Sequence, residues 1–370
     1  MEIYFKYLIY FFCFFPFLLP LKVLGTDIQF YAFIVSIAYL SCLSKWYYSK
    51  EIKLFCLYFF IAAIIGILSA PNIIIMVRCL FQYASLFFIC CAVYNLLIRE
   101  NGLDIRLSKY FILCWFIVGA IQTFLFPDFG GFLVANSRTT SDRGVYSLAS
   151  EPSFFGLQCF YFLFIASTFD KHTKIYFALI SIMVLIFAQS FTGLVFLIFM
   201  LAFFISDSIT FRNISIKWIL SSIIIIGLSV FYIGNHLRNS RLGSIITLLI
   251  SNENLAKKDE SSSVRFNAIF ESLQTSYNNV FFPNGFTERV GSMFGGILQE
   301  LGIIGLPLMV IVTLLLISYY RKKWVKYVAF IIIFILFFTN MQMANPTFAF
   351  VLALSIYQNE NQKQSAVATI

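Results

Sequence analysis

Residues 52–69, IKLFCLYFFIAAIIGILS, and residues 73–97, IIIMVRCLFQYASLFFICCAVYNLL, stand three positions apart and carry only two charges, Lys53 and Arg78. Each is long enough to take an α-helix through a bilayer, which needs about 20 apolar residues per crossing. The pattern recurs along the chain. Apolar runs fall near 3–21, 28–44, 52–69, 73–97, 108–126, 153–169, 174–189, 191–206, 216–234, 293–319, 325–341 and 345–357. In lipid every backbone N–H and C=O must find its partner within the chain, and a helix achieves this segment by segment. The expected fold is therefore all-α, a polytopic integral membrane protein forming one transmembrane domain over residues 1–370. Twelve helices are expected, or eleven if the short last run does not cross.

Composition points the same way. Of the 370 residues, 60% are hydrophobic, 19% aromatic and 12% charged, against about 25% charged in soluble domains. Such a chain cannot cover a globular surface, which excludes a soluble enzyme. The formal net charge of +9 lies mostly in short segments between apolar runs, where it sets orientation. No basic patch is interleaved with aromatics as a strand-binding groove requires, so nucleic acid is excluded as a partner and membrane lipid is the expected surroundings. All eight cysteines fall inside apolar runs without a CxxC pair, and His172 and His236 are far apart; no metal site is expected. The apolar stretch 1–19 has Lys6 near its start and contains Pro16, and Pro20 and Lys22 follow it rather than a small-residue cleavage site. It reads as a retained first helix.

Two connections are long, 127–152 and 235–292. Four runs lie between them, so both emerge on one side, and five runs precede the first, which places the N-terminus on the other. The short loops on the N-terminal side carry fourteen Lys and Arg residues; those on the opposite side carry Lys22 alone. By the positive-inside rule the N-terminus is cytoplasmic, as is the C-terminus if all twelve runs cross, and both long loops are external. In the second, residues 251–263 (SNENLAKKDESSS) are strongly polar. Phe266, Ile269, Phe270 and Leu273 then recur at helical spacing, with Ser262 or Ser263 as N-cap, which predicts an amphipathic helix on the outer membrane surface.

The candidates for chemistry cluster near that side. The first loop holds Arg138, Asp142, Arg143 and then Ser150-Glu151-Pro152-Ser153. Pro152 suits a first helical position, which puts Glu151 at a helix N-terminus, where the dipole favours a carboxylate; a plain helix cap is the alternative. The second loop contributes Arg238, Arg241, Arg265 and Arg289. Guanidinium groups bind phosphate oxygens bidentately, though surface arginines also meet lipid head groups. Arg78, inside its run, either serves function or snorkels outward. The tenth run opens Gly291-Ser292-Met293-Phe294-Gly295-Gly296, a GxxxG pair suited to close helix approach. About 10 Å further in at ~1.5 Å per residue lies Glu300, and an ionisable residue at that depth is functional by default. A structural pairing with an arginine is the competing reading.

Four stretches in this order resemble the O-antigen polymerase and ligase superfamily, the Wzy-type enzymes: Ser150-Glu151-Pro152-Ser153-Phe154-Phe155-Gly156, Ser190-Phe191-Thr192-Gly193, Ser263-Val264-Arg265-Phe266, and Glu300-Leu301-Gly302-Ile303-Ile304-Gly305-Leu306. Each is weak alone; together they cover most of the chain. The resemblance implies a lipid-carrier glycosyltransferase of the GT-C kind, without nucleotide-sugar domain, cofactor or metal. It would join undecaprenyl-pyrophosphate-linked oligosaccharide units into O-antigen, capsule or exopolysaccharide at the outer face of the bacterial inner membrane. A flippase and a chain-length regulator of the same pathway are the implied partners. Arg265 matches the family's external-loop arginine and, with Glu151 or Glu300 as the carboxylate that activates the acceptor hydroxyl, forms the implied catalytic set. Arg143, Arg138, Arg78, Arg289 and Ser292 are the implied pyrophosphate and glycan contacts.

Departures from the pattern choose within the superfamily. O-antigen ligases tend to carry a Ser-Arg pair after the seventh helix and a histidine before the Glu-x-Gly helix. Here those places hold Ser190-Phe191-Thr192-Gly193 and Gly291-Ser292, which favours a polymerase. Some polymerases place a glycine eleven residues after an external-loop arginine; Arg138 and Arg143 are followed there by Ala149 and Phe154. The rival outside enzymes is a flippase for the same lipid-linked units, against which the two long charged loops argue. A membrane acyltransferase would need a buried histidine beside an acid.

Overall fold

A computed structural model describes residues 2–19, 27–134, 144–169, 172–208, 274, 283, 285–286, 292–338 and 342–368. Among them all regular structure is helical. The helices are α1 (Glu2–Phe14), α2 (Tyr31–Cys42), α3 (Lys50–Ser69), α4 (Ile73–Arg99), α5 (Ile105–Phe124), α6 (Pro152–Ala166), α7 (Thr173–Ile182), α8 (Phe191–Ser208), α9 (Met293–Leu301), α10 (Leu306–Ile317), α11 (Lys323–Leu336) and α12 (Pro346–Ala368). Four segments, Lys50–Ser69, Ile73–Arg99, Ile105–Phe124 and Met293–Ile317, are long and apolar enough to cross a membrane. Shorter apolar helices accompany them. The protein is thus a helical, multi-pass membrane protein.

Three expected runs differ from the helices found. The first is helical only to Phe14, because Pro16 lacks the N–H that another turn would use; the Pro16 carbonyl instead accepts the Gln29 N–H at 2.8 Å. The last is longer than its apolar part, since the polar residues from Gln358 onward are good helix formers and carry the helix to Ala368. The run at 293–319 is two helices with a break between them, described below. The run at 216–234 and the amphipathic helix expected after Ser263 lie outside the described residues.

The chain divides into two compact units. One comprises Met1–Leu113, Arg265–Tyr319 and Ala329–Ile370. Its centre is α4, against which α2, α3 and α12 pack. Nearly every residue of α4 from Tyr83 to Leu97 is buried, and a helix apolar all round belongs in such an interior. Asn95 Nδ2 caps the Tyr47 carbonyl at 3.0 Å and its Oδ1 takes the Tyr47 N–H at 2.7 Å, fixing the α2–α3 connection to α4. Lys6 on α1 reaches the far end of α4, pairing with Glu100 at 2.8 Å and Asp104 at 2.9 Å, while Tyr94 donates to Glu360 on α12. At the other end Thr347 donates to the Cys13 carbonyl. The start of α1 and the end of α12 therefore share one end of this unit.

Asp104 heads α5, accepting the Leu107 N–H at 3.1 Å and the Lys6 ammonium. Partial burial raises its pKa, but the Leu107 N–H and Lys6 more than offset this and hold the carboxyl below its ordinary value. A depressed carboxyl contributes stability above its unfolded pKa of about 4, and that stability is lost as pH falls through the folded value. Both side chains are partly exposed to solvent that screens the pair, so the contribution is about 1 kcal/mol. Lowering the pH of detergent-solubilised protein from about 5 to about 3 should therefore lower its melting temperature, and Asp104→Asn should flatten that part of the curve. Identical curves for the two proteins would remove Asp104 from the acid response.

The second unit comprises Cys114–Val264 and Tyr320–Val328. Its centre is α6, buried from Phe154 to Ala166 and packed on α7 and α8. Asp207 at the end of α8 accepts the backbone N–H groups of Arg321 and Lys322 at 2.7–2.9 Å. Those are donors with no partner inside α11.

Candidate functional site

In the first unit α9 opens at Ser292, whose hydroxyl accepts the Gly295 N–H at 3.1 Å, and closes at Leu301. It ends because Gly302 takes φ 58°, ψ −144°, a conformation natural only to glycine. A 3₁₀ turn covers Gly302–Gly305, and α10 resumes with Pro307 in its first turn, where no N–H is missed. Breaking a membrane helix leaves carbonyls without in-helix partners, and Tyr58 on α3 donates to the Ile304 carbonyl at 2.7 Å.

Glu300 stands just before this break and is 5% exposed. Tyr83 on α4 donates its hydroxyl to Glu300 Oε2 at 2.6 Å and is itself buried. Cys79, one turn earlier on α4, also hydrogen-bonds the carboxyl group. A charge at the centre of a membrane helix costs about 2.5–3.5 kcal/mol on insertion scales. A hydrogen bond to a charged group contributes about 1.5–3 kcal/mol, so the Tyr83 hydroxyl, with the weaker Cys79 thiol, offsets part of that cost. Among the described residues the partners of Glu300 are thus a tyrosine and a cysteine on another helix; the external-loop arginines with which a structural pairing is expected lie outside the described residues.

An aromatic from the end of the second long connection closes over this pair. The Phe286 ring stacks on Tyr83 with centroids 6.4 Å apart and planes 9° apart. Its N–H donates to Ser69 Oγ at 3.0 Å, at the end of α3, and its side chain is fully buried. Two glycines make the fit. Gly285 has φ +72°, and a Cβ there would stand 2.0 Å from Ser69 Oγ; a Cβ on Gly66 would stand 2.6 Å from the Phe286 ring.

In the second unit Glu151 precedes Pro152 at the head of α6. Its backbone carbonyl accepts the Phe154 and Phe155 N–H groups at 3.1 Å, but its carboxylate caps no backbone N–H; it accepts the Ser153 hydroxyl instead. The segment leading to it is not a surface loop: Gly144 and Tyr146–Ser150 are all buried. Ser147 is held at φ 50° by Gln122, which accepts its N–H at 2.7 Å and donates to its carbonyl at 3.0 Å, while the Ser147 hydroxyl donates to the Trp115 carbonyl at 2.9 Å. Buried irregular backbone keeps its polar groups paired in this way. The Ser150 hydroxyl has no hydrogen-bond partner among the described residues.

Beside this segment α7 runs into a π-helical turn, Met183–Ala188, that ends on Gln189 at φ 44°. Ser190 then caps α8 by accepting the Gly193 N–H at 3.3 Å. Helices α6 and α8 cross in backbone contact, since a Cβ on Gly156 would stand 2.9 Å from the Gly193 Cα. Two of the four resembling stretches, 150–156 and 190–193, thus meet in space.

The two candidate carboxylates belong to different units. Arg138, Arg143, Arg265 and Arg289 lie outside the described residues. Arg78 is exposed near the N-terminal end of α4, next to the buried Cys79. Ser292 is a helix cap. Of the expected GxxxG pair, Gly295 is buried and Gly291 lies outside the described residues; close helix approach is found at Gly156 and Gly193.

Sequence reasoning missed Tyr83, Cys79, Phe286 and Gln122. The first two sit in an apolar run where a tyrosine and a cysteine read as core. The one available signal was Asn284-Gly285, a turn dipeptide, directly before Phe286. Compared with known protein families, with curated proteins and with solved structures, the chain matches none.

Proposed function

We propose that this chain is a membrane glycosyltransferase that polymerises undecaprenyl-pyrophosphate-linked oligosaccharide units, crossing the bacterial cytoplasmic membrane twelve times with both long connections outside. The observation that carries the reading is Glu300, buried and hydrogen-bonded beside a break in an apolar helix, inside one of the four stretches that resemble the polymerases. The meeting of two further stretches at Gly156 and Gly193 adds support.

In this reading Glu300 takes the proton of an acceptor sugar hydroxyl. The hydroxyl oxygen attacks the anomeric carbon of the growing chain. The bond from that carbon to the carrier's pyrophosphate breaks, and the lipid pyrophosphate leaves with the electron pair. Its charge is met by arginines, Arg265 first, with Arg143, Arg138, Arg289 and Arg78 as further contacts. The proton on Glu300 is then lost to water.

A broken membrane helix beside a carboxylate is also how ion-coupled transporters build their sites. That observation favours a second reading, a flippase for the same lipid-linked units. Deleting the gene in its own bacterium and resolving the surface polysaccharide on a silver-stained gel separates the two. A polymerase leaves single-unit material without the long ladder, restored by the wild-type gene and not by Arg265→Ala. Loss of the single-unit band as well points to a flippase or a ligase, and an unchanged ladder rejects the proposal for that polysaccharide.

A further inference from the structure

We infer that Tyr83 is the positioning residue of Glu300, holding the carboxylate in the orientation that receives the acceptor hydroxyl. The inference rests on the polymerase reading. Glu300 lies in the last turn of α9, where the helix stops at Gly302. A chain end of this kind does not by itself fix the direction of a side chain. Tyr83 sits at the start of the mostly buried part of α4, the helix against which α2, α3 and α12 pack. A group held by a rigid element keeps its geometry far better than one held by an end or a loop.

The tyrosine is in turn immobilised. Phe286 stacks on one face of its ring, and Phe286 is fixed by the Ser69 hydroxyl and by the space left at Gly66. Ser69, Phe286, Tyr83 and Glu300 thus form a chain of contacts across α3, the segment before α9, α4 and α9. A phenylalanine would fill the Tyr83 site equally well. The buried hydroxyl adds one thing only, a bond to Glu300 Oε2 at 2.6 Å, and a carboxylate has acceptor capacity beyond that bond to offer a sugar hydroxyl.

The test uses the full chain in lipid vesicles, with the lipid-linked single unit extracted from the deletion strain as substrate. Tyr83→Phe should lower kcat by about 10- to 100-fold with KM unchanged, the expected result of a misplaced catalytic group. The infrared carboxyl band identified by its loss in Glu300→Gln should move in Tyr83→Phe. Phe286→Leu, which keeps the hydroxyl but frees the ring, should lower kcat by a smaller factor and broaden the same band; it also serves if Tyr83→Phe does not accumulate. An unmoved band in Tyr83→Phe overturns the inference. So does a moved band with kcat intact, which would make the bond purely structural, and so does Phe286→Leu with both readouts unchanged. Wild-type protein that makes no polymer while the band still moves in Tyr83→Phe rejects the polymerase reading on its own evidence, leaving the Tyr83 bond established but without this role.

Discussion

Glu300→Gln is expected to abolish the polysaccharide ladder while leaving the protein folded and in the membrane. The carboxamide keeps the shape of the carboxylate and can still accept the Tyr83 hydroxyl, so the buried bond between α4 and α9 persists. What the substitution removes is the capacity to take a proton from an acceptor hydroxyl at neutral pH. General-base catalysis of this kind contributes about 10²- to 10⁴-fold, enough to reduce a ladder to its single-unit band. Glu300→Asp keeps the acid but draws it back by one methylene, and should give a short, weak ladder. Glu300→Ala leaves the Tyr83 hydroxyl without its partner and should lower protein abundance as well, since an unsatisfied buried group costs about 1–3 kcal/mol. Complementation of the deletion strain, with blots to normalise abundance, reads all three. A full ladder from Glu300→Gln would strip Glu300 of the base role and turn attention to Glu151.

The second large effect is on folding. A Cβ at Gly156 would stand 2.9 Å from the Gly193 Cα and 3.3 Å from the Ser190 Cβ, and a Cβ at Gly193 would stand 2.8 Å from the Gly156 Cα. The obstacles are backbone and Cβ atoms, so no rotamer change relieves them and α6 must move off α8. Between membrane helices, close packing itself supplies much of the association energy. Gly156→Ala should therefore cost about 1–3 kcal/mol, the usual price of overpacking, and Gly156→Leu should fail to accumulate. Gly296→Ala is the control. Among the described residues a Cβ there meets nothing within 4 Å, and the better helix propensity of alanine, by about 1 kcal/mol, makes the change neutral or stabilising. Heating solubilised variants and following the soluble monodisperse fraction compares the three. Equal melting temperatures for Gly156→Ala and Gly296→Ala would show that the α6–α8 crossing tolerates separation.

Much of this protein is legible one segment at a time. A run such as 52–69 must be helical in lipid because no other backbone arrangement satisfies its own polar groups, and α3 covers Lys50–Ser69 accordingly. Pro152 and Ser292 mark helix starts by local chemistry, and both helices begin there. Glu300 is conspicuous because a carboxylate inside an apolar run is costly. Even the break after it had a cue in Gly302 and Gly305, but glycine in a membrane helix signals close packing as readily as a break, and the sequence alone does not choose.

Other features had no one-dimensional signal. Tyr83 and Glu300 are 217 positions apart, and Phe286 reaches Ser69 over the same span. In a soluble protein the polar face of each helix would reveal which side turns inward. Here helices such as α6 and α10 are apolar all round, so no stripe distinguishes the face that meets protein from the face that meets lipid. Composition and charge by themselves determined that the chain is helical, membrane-embedded and rich in basic residues on one set of loops, because those properties follow from the solvent each segment must satisfy. Only the tertiary structure decided which tyrosine serves the buried carboxylate, where two helices touch at glycine, and that residues 146–150 are buried. Those depend on shape and hydrogen-bond complementarity between distant segments, which hydropathy does not encode.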